Sequence, residues 1–217
     1  EAAKSIDSLE QEKLALYIRG TNLRDYVLYR PFAFAQRTAE RADPDYDPYD
    51  VASHRPSSDV MAGYLYIQKK STCNTWTVGL SASQKGYGPV MYDIAMSDIS
   101  PDGLASDRRS VSELARPIWS YMLTTRANDY VVTRLPETEL CSFKDDGQRE
   151  GSDNTALNLS FAIKNKINPT KLVATHNETV SRLARQYPQM TVEALEEDLE
   201  NLGGIYFSHR YKGNAHT

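Results

Sequence analysis

The sequence has few of the residues that most often mark metal clusters, membrane spans or nucleic-acid binding. Its 217 residues include only two cysteines, too few for a four-thiolate zinc site. Its longest apolar runs, such as residues 14–18, fall far short of the roughly 20 residues that a membrane-spanning helix needs. Asp and Glu (29) outnumber Lys and Arg (25), so no overall positive charge attracts nucleic acid or anionic lipid. We therefore expect no metal, no membrane span and no general nucleic-acid binding.

The two cysteines, Cys73 and Cys141, lie far apart and match no short redox or metal motif. We predict that both are reduced thiols, which is usual in reducing compartments. Tyrosine, in contrast, is abundant, with 14 Tyr against 5 Phe and 2 Trp. Because tyrosine combines apolar bulk with a hydroxyl that needs a partner, this excess favours half-buried surfaces, a contact face or a pocket.

Apolar periodicity and the positions of Gly and Pro predict a single mixed α/β domain over residues 1–217. The N-terminal part, 1–30, is predicted to be helical. Residues 42–59, rich in Asp, Pro and Tyr, are predicted to form an acidic loop; its aspartates resemble the start of a calcium loop but lack that motif's Gly and closing Glu. A core of strands and helices follows at 60–125. The C-terminal part, 156–211, is predicted to hold helices and a terminal strand at 205–211.

Two capping boxes predict helix starts in the second half of the chain. The first pairs Ser110 with Glu113, and the second pairs Thr175 with Glu178. Pro117 then lies inside the first helix and predicts a kink there. All four histidines lie in polar contexts, and His176 lies in the first turn of the second helix, so we expect it to be solvated.

Residues 75–92 carry the most chemical information. They read as a strand that passes through a turn containing Gly86 and Gly88 into a helix. Such a junction offers free N–H groups and the positive end of a helix dipole, which suits a phosphate, and Lys85 adds a positive charge. Neither the three-glycine dinucleotide pattern nor the nucleoside-triphosphate loop is present. The spacing alone is equally compatible with a tight strand-to-helix turn in which Pro89 occupies the first helical turn.

The six residues of this turn resemble the acyl-CoA-binding motif of the GNAT superfamily of N-acetyltransferases, Gln/Arg-x-x-Gly-x-Gly/Ala. Here the motif falls on Ser83, Gln84, Lys85, Gly86, Tyr87 and Gly88, and Ser83 departs from the Gln or Arg of its first position. The resemblance covers about 60–125, and 103–119 is similar to acetyltransferase-like proteins of bacteriophages. It implies a mixed, mostly antiparallel central sheet flanked by helices, with a splayed strand pair at the cofactor site.

The resemblance also implies an activity, the transfer of an acetyl group from acetyl-CoA to an amine on a small molecule or a protein. Val78 through Leu80 would pair with pantetheine, while the motif residues would bind the pyrophosphate. Tyr121 would be the acid that protonates the CoA thiolate. Asp107 and Glu113 are available as the base, although each has a structural explanation in a local ion pair or a helix cap.

A second interpretation stays open on the same resemblance. The scaffold can serve as a non-catalytic structural or interaction protein, such as a bacteriophage virion component, contacting phage structural partners or further copies of itself. The departure at Ser83 and the tyrosine-rich acidic loop favour this interpretation. The two alternatives imply a location in the host cytoplasm or in the virion.

Overall fold

The computed structural model describes residues 3–49, 56–143 and 154–213. Within them lie seven strands: β1 (Ala15–Arg19), β2 (Leu23–Tyr29), β3 (Met61–Lys70), β4 (Thr75–Ser83), β5 (Leu104–Ala105), β6 (Tyr130–Arg134) and β7 (Leu159–Ile163). The α-helices of the same residues are α1 (Ile6–Gln11), α2 (Pro31–Ala42), α3 (Ser57–Val60), α4 (Gly88–Ile99), α5 (Arg116–Thr124), α6 (Thr170–Gln186) and α7 (Val192–Gly213).

All seven strands belong to one sheet, in the order β1-β2-β3-β4-β5-β7-β6. Every neighbouring pair is antiparallel except β4 and β5, which are parallel because α4 crosses over between them. Residues of α1, α4 and α5 pack on one face of the sheet, and residues of α2, α6 and α7 pack on the other. The prediction of a mixed, mostly antiparallel sheet flanked by helices is confirmed.

The prediction of helices throughout residues 1–30 is wrong, because only α1 is helical and the rest is the β1–β2 hairpin. Both faces of these strands are covered, so 14–18 and 26–29 read as continuous apolar runs that periodicity cannot distinguish from a buried helix. Gly20 makes the hairpin turn with a φ of +92°. A Cβ at this position would lie 1.9 Å from the carbonyl oxygen of Leu23, so the turn requires glycine.

The predicted terminal strand at 205–211 is also wrong, since α7 continues to Gly213. Two successive glycines, Gly203 and Gly204, come just before this segment and are typical of a helix end. Instead, Gly203 lets α7 approach the sheet, because a Cβ there would lie 2.7 Å from Cδ2 of Tyr64. A glycine within a helix marks a close approach here and not a terminus.

Neither predicted capping box forms. Helix α5 begins at Arg116, so Pro117 lies in its first turn, where proline is tolerated, and causes no kink. Helix α6 begins at Thr170, and the hydroxyl of Thr175 donates to the carbonyl of Lys171 one turn earlier. Between α2 and α3, residues 43–49 of the predicted acidic loop form turns, and residues 50–55 lie outside the described residues.

The two cysteines form a disulfide, so the prediction of reduced thiols is wrong. Cys73 lies between β3 and β4, and Cys141 lies in the chain that follows β6. Their Cα atoms are 5.4 Å apart. The bond ties the end of the β3–β4 hairpin to residues 135–143. No helix in the described part of the chain is long and apolar enough to cross a membrane.

Candidate functional site

Strands β4 and β5 diverge after a very short contact. They pair only at Trp76 with Leu104 and at Thr77 with Ala105. Beyond this point β4 runs on to Ser83 with β3 as its only partner among the described residues. The second half of β4 therefore has an open edge that faces a gap in the sheet.

A bulge in β4 contributes to this divergence. Tyr66 pairs with Leu80 while Ile67 pairs with Val78, which leaves Gly79 without a partner on β3. A Cβ at Gly79 would lie 2.7 Å from Cδ1 of the Tyr66 ring. The bulge thus needs a residue without a side chain, and it bends β4 just beyond its contact with β5.

Arg108 holds the chain after β5 on the side away from β4. Its guanidinium is buried and donates to the backbone oxygens of Ser106 at 2.9 Å, Leu157 at 2.6 Å and Cys141 at 3.1 Å. Burial lowers the pKa of Arg108 to about 10, only partly offset by Asp107. These bonds pull the chain towards the start of β7 and keep the gap open.

The open edge of β4 presents backbone groups to the gap. The N–H of Gln84 donates to the carbonyl of Ala62 at 2.9 Å, and in this register Leu80 and Ala82 bond to β3. Because bonding directions alternate along a strand, the N–H and C=O groups of Ser81 and Ser83 point into the gap.

A tyrosine of α4 lies against the same edge. The hydroxyl of Tyr92 is buried beside the side chain of Ser81, whose hydrogen bonding acts to lower the pKa of Tyr92, and it has no closer polar partner among the described residues. Burial raises the pKa of Tyr92 to about 12, so the hydroxyl keeps its proton and remains a donor. Tyr92 lies one turn beyond Gly88, which is the sequence signal that could have found it.

The loop from β4 into α4 ends in a cluster of unbonded backbone amides. Among the described residues, no acceptor is found for the N–H groups of Lys85, Gly86, Gly88 and Val90, while the N–H of Tyr87 closes a turn on Gln84 at 3.2 Å. Gly86 has a φ of +90°. Four such donors lie at the positive end of a twelve-residue helix, an arrangement that favours a bound anion.

Two motif side chains hold this loop to the rest of the protein. Gln84 Nε2 donates to the carbonyls of Ser58 at 2.7 Å and Met61 at 2.9 Å, and its Oε1 accepts from Arg30 at 2.7 Å. Tyr87 is buried, and its hydroxyl donates to Glu12. Sequence reasoning missed Arg30 because only the fold brings it to the loop.

The charge around the loop is positive. Lys85 is exposed and has no ion-pair partner among the described residues, and Arg30 bonds to the side chain of the preceding residue, Gln84. Glu12, the nearby carboxylate, is paired with Lys4 at 2.7 Å. Burial acts to raise the pKa of Glu12, but the hydrogen bonds from Lys4 and Tyr87 outweigh it and lower the pKa. Glu12 thus stays ionised and balances one of the two positive charges of Lys4 and Arg30, while the charge of Lys85 remains.

The structure brings most of the predicted motif residues together. The Oγ of Ser83 lies 3.3 Å from the position of a Cβ on Gly88, so the two ends of the motif touch. Val78 is buried towards α4, whereas the side chain of Leu80 packs on the opposite face with α7. The backbone groups of Leu80 bond to β3, so neither its side chain nor its backbone faces the gap, and the prediction that Leu80 pairs with pantetheine is not supported by this register.

The predicted acid, Tyr121, lies on α5, which packs beside the motif. Ile118 of this helix comes within 3.3 Å of the Cβ position at Gly88. Tyr121 is half-buried one turn farther along the helix. Of the two candidate bases, Asp107 accepts the N–H groups of Arg109 at 2.7 Å and Ser110 at 3.0 Å, and Glu113 is exposed.

His176, expected to be solvated, is 2% exposed. Its Nδ1 lies 3.0 Å from the hydroxyl of Tyr29, and its Nε2 lies 2.9 Å from Oε1 of Glu196. Its ring stacks on Tyr17 at 4.7 Å. The prediction fails because α6 begins at Thr170, which places His176 on the side of the helix that faces the sheet. This cluster lies on the face opposite α4 and takes no part in the loop.

Two cavities lie away from the motif. They have volumes of about 480 and 300 Å³ and share Arg134 and Asn158 in their linings. No group of three or more metal-ligating side chains is found among the residues that the structure describes. Comparisons with protein families, with curated proteins and with solved structures found no match to this chain. The site must therefore be interpreted from its own geometry.

Proposed function

We propose that this protein binds acetyl-CoA at the junction of β4 and α4 and transfers the acetyl group to an amine. One observation carries the proposal: at the end of a gap between two strands lie four backbone amides and a lysine that have no partner among the described residues. A diphosphate fits the amides of Lys85, Gly86, Gly88 and Val90, with Lys85 adding charge-assisted contacts. An extended chain attached to that diphosphate could run along the open edge of β4.

The open edge of β4 supports the choice of an acyl-CoA over a simple nucleotide. Pantetheine carries amide groups, and the backbone groups of Ser81 and Ser83 offer a donor and an acceptor at each residue. The buried hydroxyl of Tyr92 offers one more donor beside them. A nucleotide alone would leave these groups without partners.

Transfer itself moves few atoms. The amine nitrogen attacks the thioester carbonyl, the C–S bond breaks, one amine proton leaves to a base, and the CoA thiolate accepts a proton. We assign this last proton to Tyr121, on the helix that packs against Gly88. Residues around the gap would also exclude water, which otherwise competes with the amine for the thioester.

Calorimetric titration with acetyl-CoA tests the binding step. The variant Lys85→Glu reverses a charge at an exposed side chain, so folding should be unaffected while affinity falls about tenfold or more. Gly86→Asp should abolish binding, because it places a carboxylate at the amides and strains a φ of +90°. Lys166→Glu, an equal charge reversal at another exposed site, is the matched control. No saturable binding up to millimolar acetyl-CoA would contradict the proposal.

The second candidate is a scaffold that binds without catalysing transfer, or that serves as a structural component. It is favoured by the engagement of Asp107 in a backbone turn, which removes a candidate base. Measuring the release of free CoA thiol from acetyl-CoA in the presence of polyamines and lysine peptides distinguishes the enzyme from the scaffold. Turnover that falls at least tenfold in Tyr121→Phe, with acetyl-CoA affinity unchanged, supports the enzyme. Binding with no thiol release above the rate without amine supports the scaffold.

A further inference from the structure

The two edges of the sheet are protected very differently. Helix α6 runs along β1 and places Leu172 in the core on one face of the sheet and Leu183 in the core on the other. It thereby covers that edge. At the opposite edge, β6 pairs only with β7 among the described residues. Residues 131–134 are exposed, with Val131 at 53% and Val132 at 36% of their full accessibility.

The backbone of β6 has a defined set of free hydrogen-bonding groups. Leu135 donates to Asn158 at 3.1 Å, and Lys164 donates to the carbonyl of Asp129 at 2.9 Å. Backbone groups of successive strand residues point alternately to one neighbour and to the other. These two bonds therefore show that the odd-numbered residues of β6 bond to β7. The N–H and C=O groups of Tyr130, Val132 and Arg134 therefore point outward, which leaves three donors and three acceptors along the edge.

We propose that β6 pairs antiparallel with β6 of a second copy of this chain, about a two-fold axis that passes at Val132. In this register Val132 faces Val132 of the partner subunit. Tyr130 of each copy faces Arg134 of the other copy. All six outward groups are then bonded. The two sheets become one continuous sheet, and the inference is independent of the proposed function.

The side chains fit the same register. Val131 stands opposite Thr133 across the axis, and such pairs of β-branched residues stabilise neighbouring strands. The charges at the two ends of β6 are already balanced within each chain. Arg126 pairs with Asp129 at 2.8 Å at one end, and Arg134 pairs with Glu137 at the other. No like charges face each other when the strands approach.

The strand is short and ends on the exposed Arg134, but it lacks three other features by which proteins block an open edge, namely lysine, proline and a bulge. Residues 130–134 contain no lysine and no proline, and the pairing of β6 with β7 has no register shift. Any extended peptide could bond to the free backbone groups, so the choice of a second copy rests on the side chains, which match themselves about Val132 with two β-branched pairs and no facing like charges.

Light scattering and sedimentation over a range of concentrations test the assembly. We expect a dimer that Val132→Lys converts to a monomer, because two lysines would meet on the axis. Leu23→Lys makes the same kind of change at an exposed strand residue on another part of the sheet and should remain dimeric. A wild-type protein that is monomeric at every concentration up to millimolar, or a dimer that survives Val132→Lys, would overturn the proposal.

Cysteine cross-linking tests the register and does not depend on how Val132→Lys folds. Residues paired across the axis have Cα atoms about 5.5 Å apart, within the range of a disulfide. Val132→Cys should therefore give a covalent dimer under mild oxidation. Val131→Cys should not, because the two copies of residue 131 are offset by two positions. Equal cross-linking of both variants, or of neither, would refute the two-fold pairing.

Discussion

At the scale of single residues, the most informative group outside the candidate site is His176. It is held between Tyr29 and Glu196 and stacks on Tyr17. A neutral His176 ring satisfies both contacts, because its Nε2–H then donates to Glu196 while its Nδ1 accepts from the Tyr29 hydroxyl. Burial lowers the pKa of His176, and the opposing effect of Glu196 does not compensate. Burial also raises the pKa of Tyr29 above its usual value.

This depressed pKa predicts a loss of stability on acidification. Below about pH 6.5 the unfolded chain binds a proton at His176 more readily than the folded one, so the free energy of unfolding falls as the pH decreases. His176 can change the free energy of unfolding by at most about 1.4 kcal/mol per pH unit. Urea unfolding between pH 7.5 and 5.5 measures it.

His176→Gln should flatten this pH dependence, since glutamine cannot be protonated there. His209→Gln changes an exposed histidine and should leave the slope as it is in the wild type. If His176→Gln keeps the full slope, another group is responsible for the acid sensitivity.

At the scale of elements, glycines have three different roles that the sequence does not distinguish. Gly20 makes a turn, Gly79 makes a bulge, and Gly203 makes room for a ring beneath a helix. All three are alike in sequence because glycine removes a Cβ in each case. A Cβ at each position would clash with a carbonyl or an aromatic ring of another element, and the local sequence does not show which.

Two substitutions of the same kind should therefore have opposite effects. Gly79→Ala should destabilise the protein by about 1–3 kcal/mol, because the added Cβ meets the ring of Tyr66. Gly204→Ala, where nothing lies within 4 Å of the added Cβ, should stabilise α7 by up to about 1 kcal/mol. Thermal unfolding measures both; equal effects of the two would argue against the bulge.

At the scale of the whole molecule, the disulfide between Cys73 and Cys141 closes a loop with a sequence separation of 68. Its entropic effect on the unfolded chain amounts to about 4 kcal/mol for a loop of this length. Reductant should therefore lower the urea midpoint of the wild type. The double variant Cys73→Ser, Cys141→Ser should start at the lower midpoint and not respond to reductant. A wild-type midpoint that reductant leaves unchanged would mean that the bond does not form in solution.

Much of the sheet could be predicted from the sequence, because its signals are local. The β-rich stretches at 60–68 and 75–81, joined by a short polar connection, indicate a hairpin, and the glycine turn at Gly86 and Gly88 indicates a strand-to-helix junction; the structure has both there. The N-terminal hairpin could not be predicted, because strands buried on both faces lose the alternation that identifies them. The helix starts predicted at Ser110 and Thr175 were wrong, because the helices begin at Arg116 and Thr170. A capping pattern in the sequence forms a cap only where tertiary contacts let a helix start.

The sequence by itself determined the composition, the acidic balance and the local chemistry of the turn from Ser83 to Gly88, since these depend on residues that are neighbours along the chain. The tertiary structure alone decided that β4 and β5 separate, because that depends on Tyr66 against Gly79 and on Arg108 reaching Leu157. It also decided which edge of the sheet is covered and which of the histidines is buried. Each of these depends on contacts between residues that are distant in sequence, which no local pattern specifies.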